Sequence, residues 1–140
     1  KRKISEESAL NLFGGAFDKL ETYTYDTNGR VWTVATDFKS IAGSPDEIKT
    51  NTYNSSGKLI KIEDDTGADG TIDSITTYTY DANGNMLVFN QNNSRIYTHS
   101  YTPEGNREKI IQDDNGNGTA DYIVYYSYNG HLPIAKLIKN

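Results

Sequence analysis

The residues of this chain best placed to do chemistry lie in two acidic, glycine-bearing segments. The second reads Asp113-Asp114-Asn115-Gly116-Asn117-Gly118-Thr119-Ala120-Asp121. Counted from Asp113, side-chain oxygens stand at the first, third, fifth and ninth places (Asp113, Asn115, Asn117, Asp121), with Gly118 at the sixth. Ca²⁺ takes several oxygen ligands in a flexible shell. Alternate spacing turns successive side chains to one side of a tight loop, the glycine permits the sharp bend, and the Thr119 carbonyl at the seventh place adds an oxygen. The first segment, Asp65 to Asp73, offers Asp65, Asp69, the Thr71 carbonyl and Asp73, but Gly67 stands where a third-place ligand is expected. The expectation is Ca²⁺ as the cofactor, held weakly, in the range of about 10⁻⁴–10⁻³ M found for extracellular modules. Mg²⁺ is less well served, because it demands a tight octahedron and keeps its waters. The competing explanation is that Asp, Asn and Gly simply make good turns. Loops longer than a tight turn needs, and acids recurring in register, favour the ion.

Other chemistry is sparse. There is no Cys, which removes disulfides, thiolate nucleophiles and Cys-based zinc together. Only His99 and His131 are present, with no metal-binding His spacing and no Ser nucleophile motif beside them. Glu6-Glu7, Asp64-Asp65 and Asp113-Asp114 are paired carboxylates, but a glycosidase needs a defined separation across a sugar, which the sequence does not supply. Gly14-Gly15 lacks the Lys-Ser/Thr of a phosphate loop. No catalytic residues are assigned, and the chain is expected not to be an enzyme. A net charge of −5 argues against nucleic acid as a partner. The longest apolar run, Met86 to Phe89, is far short of the ~20 residues of a membrane helix, so no membrane insertion is expected. The chain starts at Lys1, which suggests a processed chain or a piece of something longer.

The elements that would position these loops come from a repeat. Thr22-Tyr23-Thr24-Tyr25-Asp26-Thr27-Asn28-Gly29-Arg30 is echoed by Thr77-Tyr78-Thr79-Tyr80-Asp81-Ala82-Asn83-Gly84-Asn85. Weaker copies place Gly57 after Tyr53 and Gly105 after Tyr101, and Tyr128-Asn129-Gly130 is a shortened fifth. Tyr53 and Tyr101 are 48 residues apart, as are Tyr80 and Tyr128, and the same shift lays the first acidic loop on the second. Period 2 rules inside each unit: Tyr122, Val124, Tyr126 and Tyr128 share one face of a strand. Thr, Tyr, Ile and Val favour pleated strands, and the Asn-Gly pairs favour hairpin turns. The strands after the turns are expected over 30–36, 58–63, 85–90 and 107–112. With 11 Tyr against 4 Phe and 1 Trp, burial must rely on amphipathic rings. The tyrosines are expected to form one structural ladder, and Trp32 to pack first and touch a ligand second.

Tyr23-Thr24-Tyr25-Asp26-Thr27-Asn28-Gly29-Arg30-Val31 and Tyr78-Thr79-Tyr80-Asp81-Ala82-Asn83-Gly84-Asn85-Met86 resemble the YD repeat of bacterial Rhs-type and related cell-surface proteins. The first copy matches closely. The second has Asn85 where the pattern has Arg, and the copies at Tyr53, Tyr101 and Tyr128 lose the Asp. The resemblance implies antiparallel strands in a continuous, twisting sheet on extracellular or toxin-associated proteins. The acidic loops are similar to the calcium loops of EF-hand, dockerin and thrombospondin type 3 repeats. They depart from the EF-hand at the twelfth place, where Thr76 and Val124 replace a bidentate Glu.

The N-terminus reads differently. Ser5 can cap, Glu6 and Glu7 suit a helix N-terminus, and Gly14-Gly15 would end it, so a short helix is expected over 5–13. The fold expected is all-β, an elongated twisted antiparallel sheet of consecutive β-hairpin repeats, with a helical cap over 1–19 and the repeat domain over 20–140. The function expected is an extracellular or cell-surface structural or adhesive module stabilised by calcium. Two alternatives stay open: a filament subunit that self-associates through sheet edges, with the apolar tail from Leu132 to Lys139 as one such edge, and a carbohydrate-binding module that stacks cell-surface glycans on Trp32 and Tyr.

Overall fold

The structure, a computed structural model, describes residues 2–6, 19–38, 44–130 and 132–139. It falls into two compact units, Lys1–Ile75 and Thr76–Asn140. In the first unit the strands are β1 (Arg2–Glu6), β2 (Leu20–Tyr25), β3 (Val31–Asp37), β4 (Glu47–Tyr53) and β5 (Leu59–Thr66). β6 (Ser74–Tyr80) leads into the second unit, which holds β7 (Met86–Gln91), β8 (Arg95–Tyr101), β9 (Arg107–Asp113), β10 (Tyr122–Asn129) and β11 (Leu132–Lys139). Within each unit every strand pairs antiparallel with its neighbour in sequence.

The four strands expected after the turns are β3, β5, β7 and β9, each within a residue at its start and one to three residues longer at its end. The expected N-terminal helix finds no support. Ser5 and Glu6 lie instead in β1, opposite Thr22 and Glu21 of β2; the remainder of that segment lies outside the described residues. Ile72 precedes β6 and is exposed.

One hairpin geometry recurs. At its turn each pairing shifts by one residue: Thr24 opposes Thr33 but Tyr25 opposes Val31, and the same break follows Thr52, Thr79 and Ser100. The residue left over is Trp32, Ile60, Leu87 or Glu108, the extra residue of a β-bulge on the outgoing strand. Trp32 thus marks a bulge position that the other copies fill with quite different side chains.

Register places the aromatic rows. In the second unit Tyr78 opposes Phe89, Phe89 opposes Tyr97, Tyr97 opposes Gln112 and Gln112 opposes Tyr122. Alternation then puts Tyr78, Tyr80, Tyr126 and Tyr128 on that same face, as the Tyr-x-Tyr spacing predicts. Tyr78 meets Phe89 edge-on at 5.7 Å between ring centres, and Phe89 stacks on Tyr97 at 5.3 Å. Such pairs are worth about 0.5–1.5 kcal/mol each beyond their burial. No apolar side chain among the described residues is fully buried. The most buried side chains are polar: Thr36, Asp65, His99 and Asp113.

Candidate functional site

The turns and loops share one device, a side-chain oxygen that accepts main-chain N–H groups of its own loop. In the first turn the Asp26 amide donates to the Arg30 carbonyl at 2.8 Å and the Gly29 amide to the Asp26 carbonyl at 3.1 Å. Asp26 Oδ1 accepts the amides of Asn28 and Arg30, while Oδ2 takes the Arg30 Nε at 2.7 Å. The second Arg30 nitrogen closes a fork on that carboxylate, and the guanidinium lies over the Tyr53 ring at 4.6 Å. The motif's Asp and Arg therefore complete each other. The Arg30 amide first, with the guanidinium after it, holds the Asp26 carboxyl below the usual range.

The copies keep the geometry and change the atoms. Asn54 Oδ1 accepts the Lys58 amide at 2.9 Å, and Asp81 Oδ1 accepts the Asn85 amide at 2.7 Å. The Asn85 side chain stands in for the arginine, donating to Asp81 Oδ2 at 2.9 Å and depressing that carboxyl. The loss of Asp at Tyr53 is thus no loss of the turn, because an amide oxygen does the same work.

The acidic loops extend the device. Asp65 is 6% exposed and Asp113 7%. Asp113 Oδ1 accepts the amides of Asn115 (3.2 Å) and Gly116 (2.7 Å), and its Oδ2 accepts that of Gly118 (2.8 Å). Asn115 Oδ1 then takes the Asn117 amide and Asn117 Oδ1 the Thr119 amide. Asp121 Oδ2 reaches back to the Asp114 amide at 2.7 Å. In the first loop Asp65 accepts the Asp69 and Gly70 amides, Asp69 the Thr71 amide, and Asp73 the Thr66 amide. The bond from Thr66 to Asp73 and the bond from Asp114 to Asp121 are one bond displaced by 48 residues. Main-chain ties repeat it: the Asp73 amide donates to the Asp64 carbonyl, and the Asp121 amide to the Gln112 carbonyl. Burial works against ionised Asp113, but the amides of Gly118, Asn115, Gly116 and Asn117 outweigh it and depress its pKa. The Thr71 amide depresses that of Asp69.

The donor set decides how each loop suits a cation. An oxygen that accepts one N–H keeps a second lone pair. The second loop thus presents oxygens from Asp113, Asn115, Asn117 and Asp121 within nine residues, together with the Thr119 carbonyl, a hard set of the kind Ca²⁺ takes. The first loop is poorer. Gly67 contributes no side chain where the second loop has Asn115. In neither loop, among the described residues, do three His, Cys, Asp or Glu gather into a group able to hold a metal.

Three hydroxyls were not legible as site residues. Tyr53 donates to the Val31 carbonyl, Tyr101 to the Met86 carbonyl and Tyr128 to the Arg107 carbonyl, each at 2.8 Å. Each acceptor is the residue paired with the anchor tyrosine of an earlier hairpin: Val31 with Tyr25, Met86 with Tyr80, Arg107 with Tyr101. The signal available in the sequence was the persistence of Tyr where Phe would pack as well.

This arrangement defines a hairpin-repeat sheet, and known proteins agree. The RHS Repeat family model matches residues 53–88, from the second anchor tyrosine through β5, the first acidic loop, β6 and its turn into β7. Among solved structures, the chain is similar to a crystal structure of TcdB2-TccC3 without its hypervariable C-terminal region. The TM-score is 0.62 at 22% identity over 79% of this chain, and the chain spans 5% of the length of that one. No curated protein matches. The likeness bears on the fold, and with the family match it supports Rhs-type repeats in this chain.

Proposed function

We propose that this chain is a non-enzymatic structural repeat module of an extracellular or cell-surface protein, with calcium stabilising its second acidic loop. The observation that carries this reading is the recurrence of one turn, one bulge and one tyrosine bond at successive hairpins. The carboxylates and amides of the turns and acidic loops are engaged with their own main chain, as suits a scaffold. The RHS repeat match and the likeness to a toxin-complex chain support a place among surface or secreted proteins. Calcium is supported by the oxygen set of Asp113, Asn115, Asn117, Thr119 and Asp121. Heat melting in millimolar Ca²⁺ and in chelator tests it. A higher midpoint with Ca²⁺ that is lost in Asp121→Ala supports the site; coincident curves, with no binding heat by calorimetry, refute it.

One observation favours a second reading, self-association through a sheet edge in an adhesive or filamentous assembly. β11 pairs with β10 alone among the described strands, and Leu132, Ile134 and Ile138 are exposed on it. An open strand edge with apolar side chains is a template for another strand. Light scattering decides: a monomer supports the module alone, and long polymers support the filament.

A further inference from the structure

The aromatic face of the second unit holds a titratable side chain that neither turns nor loops use. His99 sits in β8, 7% exposed, and neither Nδ1 nor Nε2 has a hydrogen-bond partner. It pairs with Ile110 of β9, and alternation places Arg95, Tyr97 and Tyr101 of its own strand on the same side. β7 carries no charged residue and meets β8 there with Phe89 opposite Tyr97. β9 brings Arg107, paired with Tyr101; its Nε is also buried without a partner, and its guanidinium lies 5.9 Å from the centre of the Tyr126 ring of β10. The other charges of β9 point elsewhere. Lys109 and Asp113 pair with Ser100 and Ile96 on the opposite face, and Glu108 is the exposed bulge residue. β10 offers only the phenols of Tyr122, Tyr126 and Tyr128 on this face. The strands of this unit set Arg95 and Arg107 on the face of the imidazole and no carboxylate; from just past β9 the Asp114 carboxylate reaches that face, 3.9 Å from Arg95 Nε and accepting from Gln112 Nε2 at 2.8 Å.

A neutral imidazole tolerates such a place; an imidazolium there is desolvated beside Arg107 with no strand carboxylate to neutralise it. We propose that His99 is an acid-sensitive release in the second unit, whose protonation loosens the pairing of β8 with β9. Burial first and Arg107 second hold its pKa below the ordinary value. The sign follows: the unfolded chain takes up the proton more readily, so the contribution of neutral His99 is complete above about pH 6.5 and is lost as pH falls below it.

The test uses the full chain. Between about pH 7.5 and about pH 5, the melting temperature is expected to fall by roughly 3–6 °C. His99→Gln should abolish most of that fall, and His131→Gln should keep it. Should His99→Gln fail to fold, NMR titration of the His99 ring protons in the unmodified chain replaces it. The expected midpoint lies below the ordinary histidine value, and Arg107→Gln should raise it. An equal fall in the wild type and His99→Gln, or a midpoint at or above about 6.5, would overturn the proposal.

Discussion

The Tyr128 hydroxyl lies 2.8 Å from the Arg107 carbonyl oxygen, and Arg107 is the residue paired with Tyr101. A tyrosine on one hairpin is thereby fastened to the bulge of the hairpin before it. Tyr101 repeats the bond on Met86 and Tyr53 on Val31, so the relationship belongs to the repeat and not to one site. It gives the anchor tyrosine a task beyond packing: donating to a main-chain carbonyl beside the bulge.

Removing one hydroxyl should therefore cost more than its size suggests. Tyr128→Phe keeps the ring and leaves the Arg107 carbonyl without its donor. A loss of about 1 kcal/mol is expected, read as a lower denaturant midpoint at unchanged slope. Tyr125→Phe is the control, because Tyr125 is exposed and off the aromatic face; its midpoint should stay within about 0.5 kcal/mol of the parent.

Two glycines of one loop separate steric from conformational demands. Gly116 (φ 70°) and Gly118 (φ 82°) both occupy the left-handed region. A Cβ on Gly116 would stand 1.7 Å from the Asn93 carbonyl oxygen, whereas one on Gly118 meets nothing within 4 Å. Gly118→Ala should cost about 1 kcal/mol and Gly116→Ala at least about 2–3 kcal/mol. Equal midpoints for the two variants would contradict the packing of that loop against 93–94.

The turn glycines follow the same logic with a branched residue. Gly29 and Gly84 have φ of 79° and 85°. Gly84→Val should destabilise by more than about 1 kcal/mol, because a β-branched residue is a steric outlier there. Urea unfolding gives the answer, and an unchanged midpoint would refute the turn.

The turn carboxylates set a second pH limit, below that of His99. Asp26 is depressed chiefly by the Arg30 amide and Asp81 by the Asn85 side chain. A depressed carboxyl stabilises the fold above its unfolded value near about 4, and that contribution is lost as pH falls through the lower folded value. The melting temperature should drop between about pH 5 and about pH 2.5, and less steeply in Asp81→Asn, which keeps the accepting oxygen and loses the proton site.

Much of this was legible in the sequence, for physical reasons that differ by element. Tyr-x-Tyr-Asp-x-x-Gly fixes period, turn and positive φ together, so β2, β3, β6 and β7 could be read locally. The bulges could not, since Trp32, Ile60, Leu87 and Glu108 have no side-chain chemistry in common. Ser5, Glu6 and Glu7 carry the marks of a helix start, yet Ser5 and Glu6 lie in β1, where pairing with β2 overrides local preference. In the loops the spacing of Asp113, Asn115 and Asn117 was read as ligand spacing. The same alternation makes each of them accept an amide of the loop, and sequence alone does not separate an oxygen that caps a turn from one that also faces a cation.

Amide hydrogen exchange at the turns tests the central claim most directly, that one hairpin device recurs along the chain. The amides of Arg30, Lys58 and Asn85 are bonded to side-chain oxygens of Asp26, Asn54 and Asp81. All three should be strongly protected, although each lies at a surface turn where exposed amides normally exchange fast. Asp26→Ala should release Arg30 alone and leave Lys58 and Asn85 protected. Exchange of all three near the rates of an unstructured chain would contradict the account.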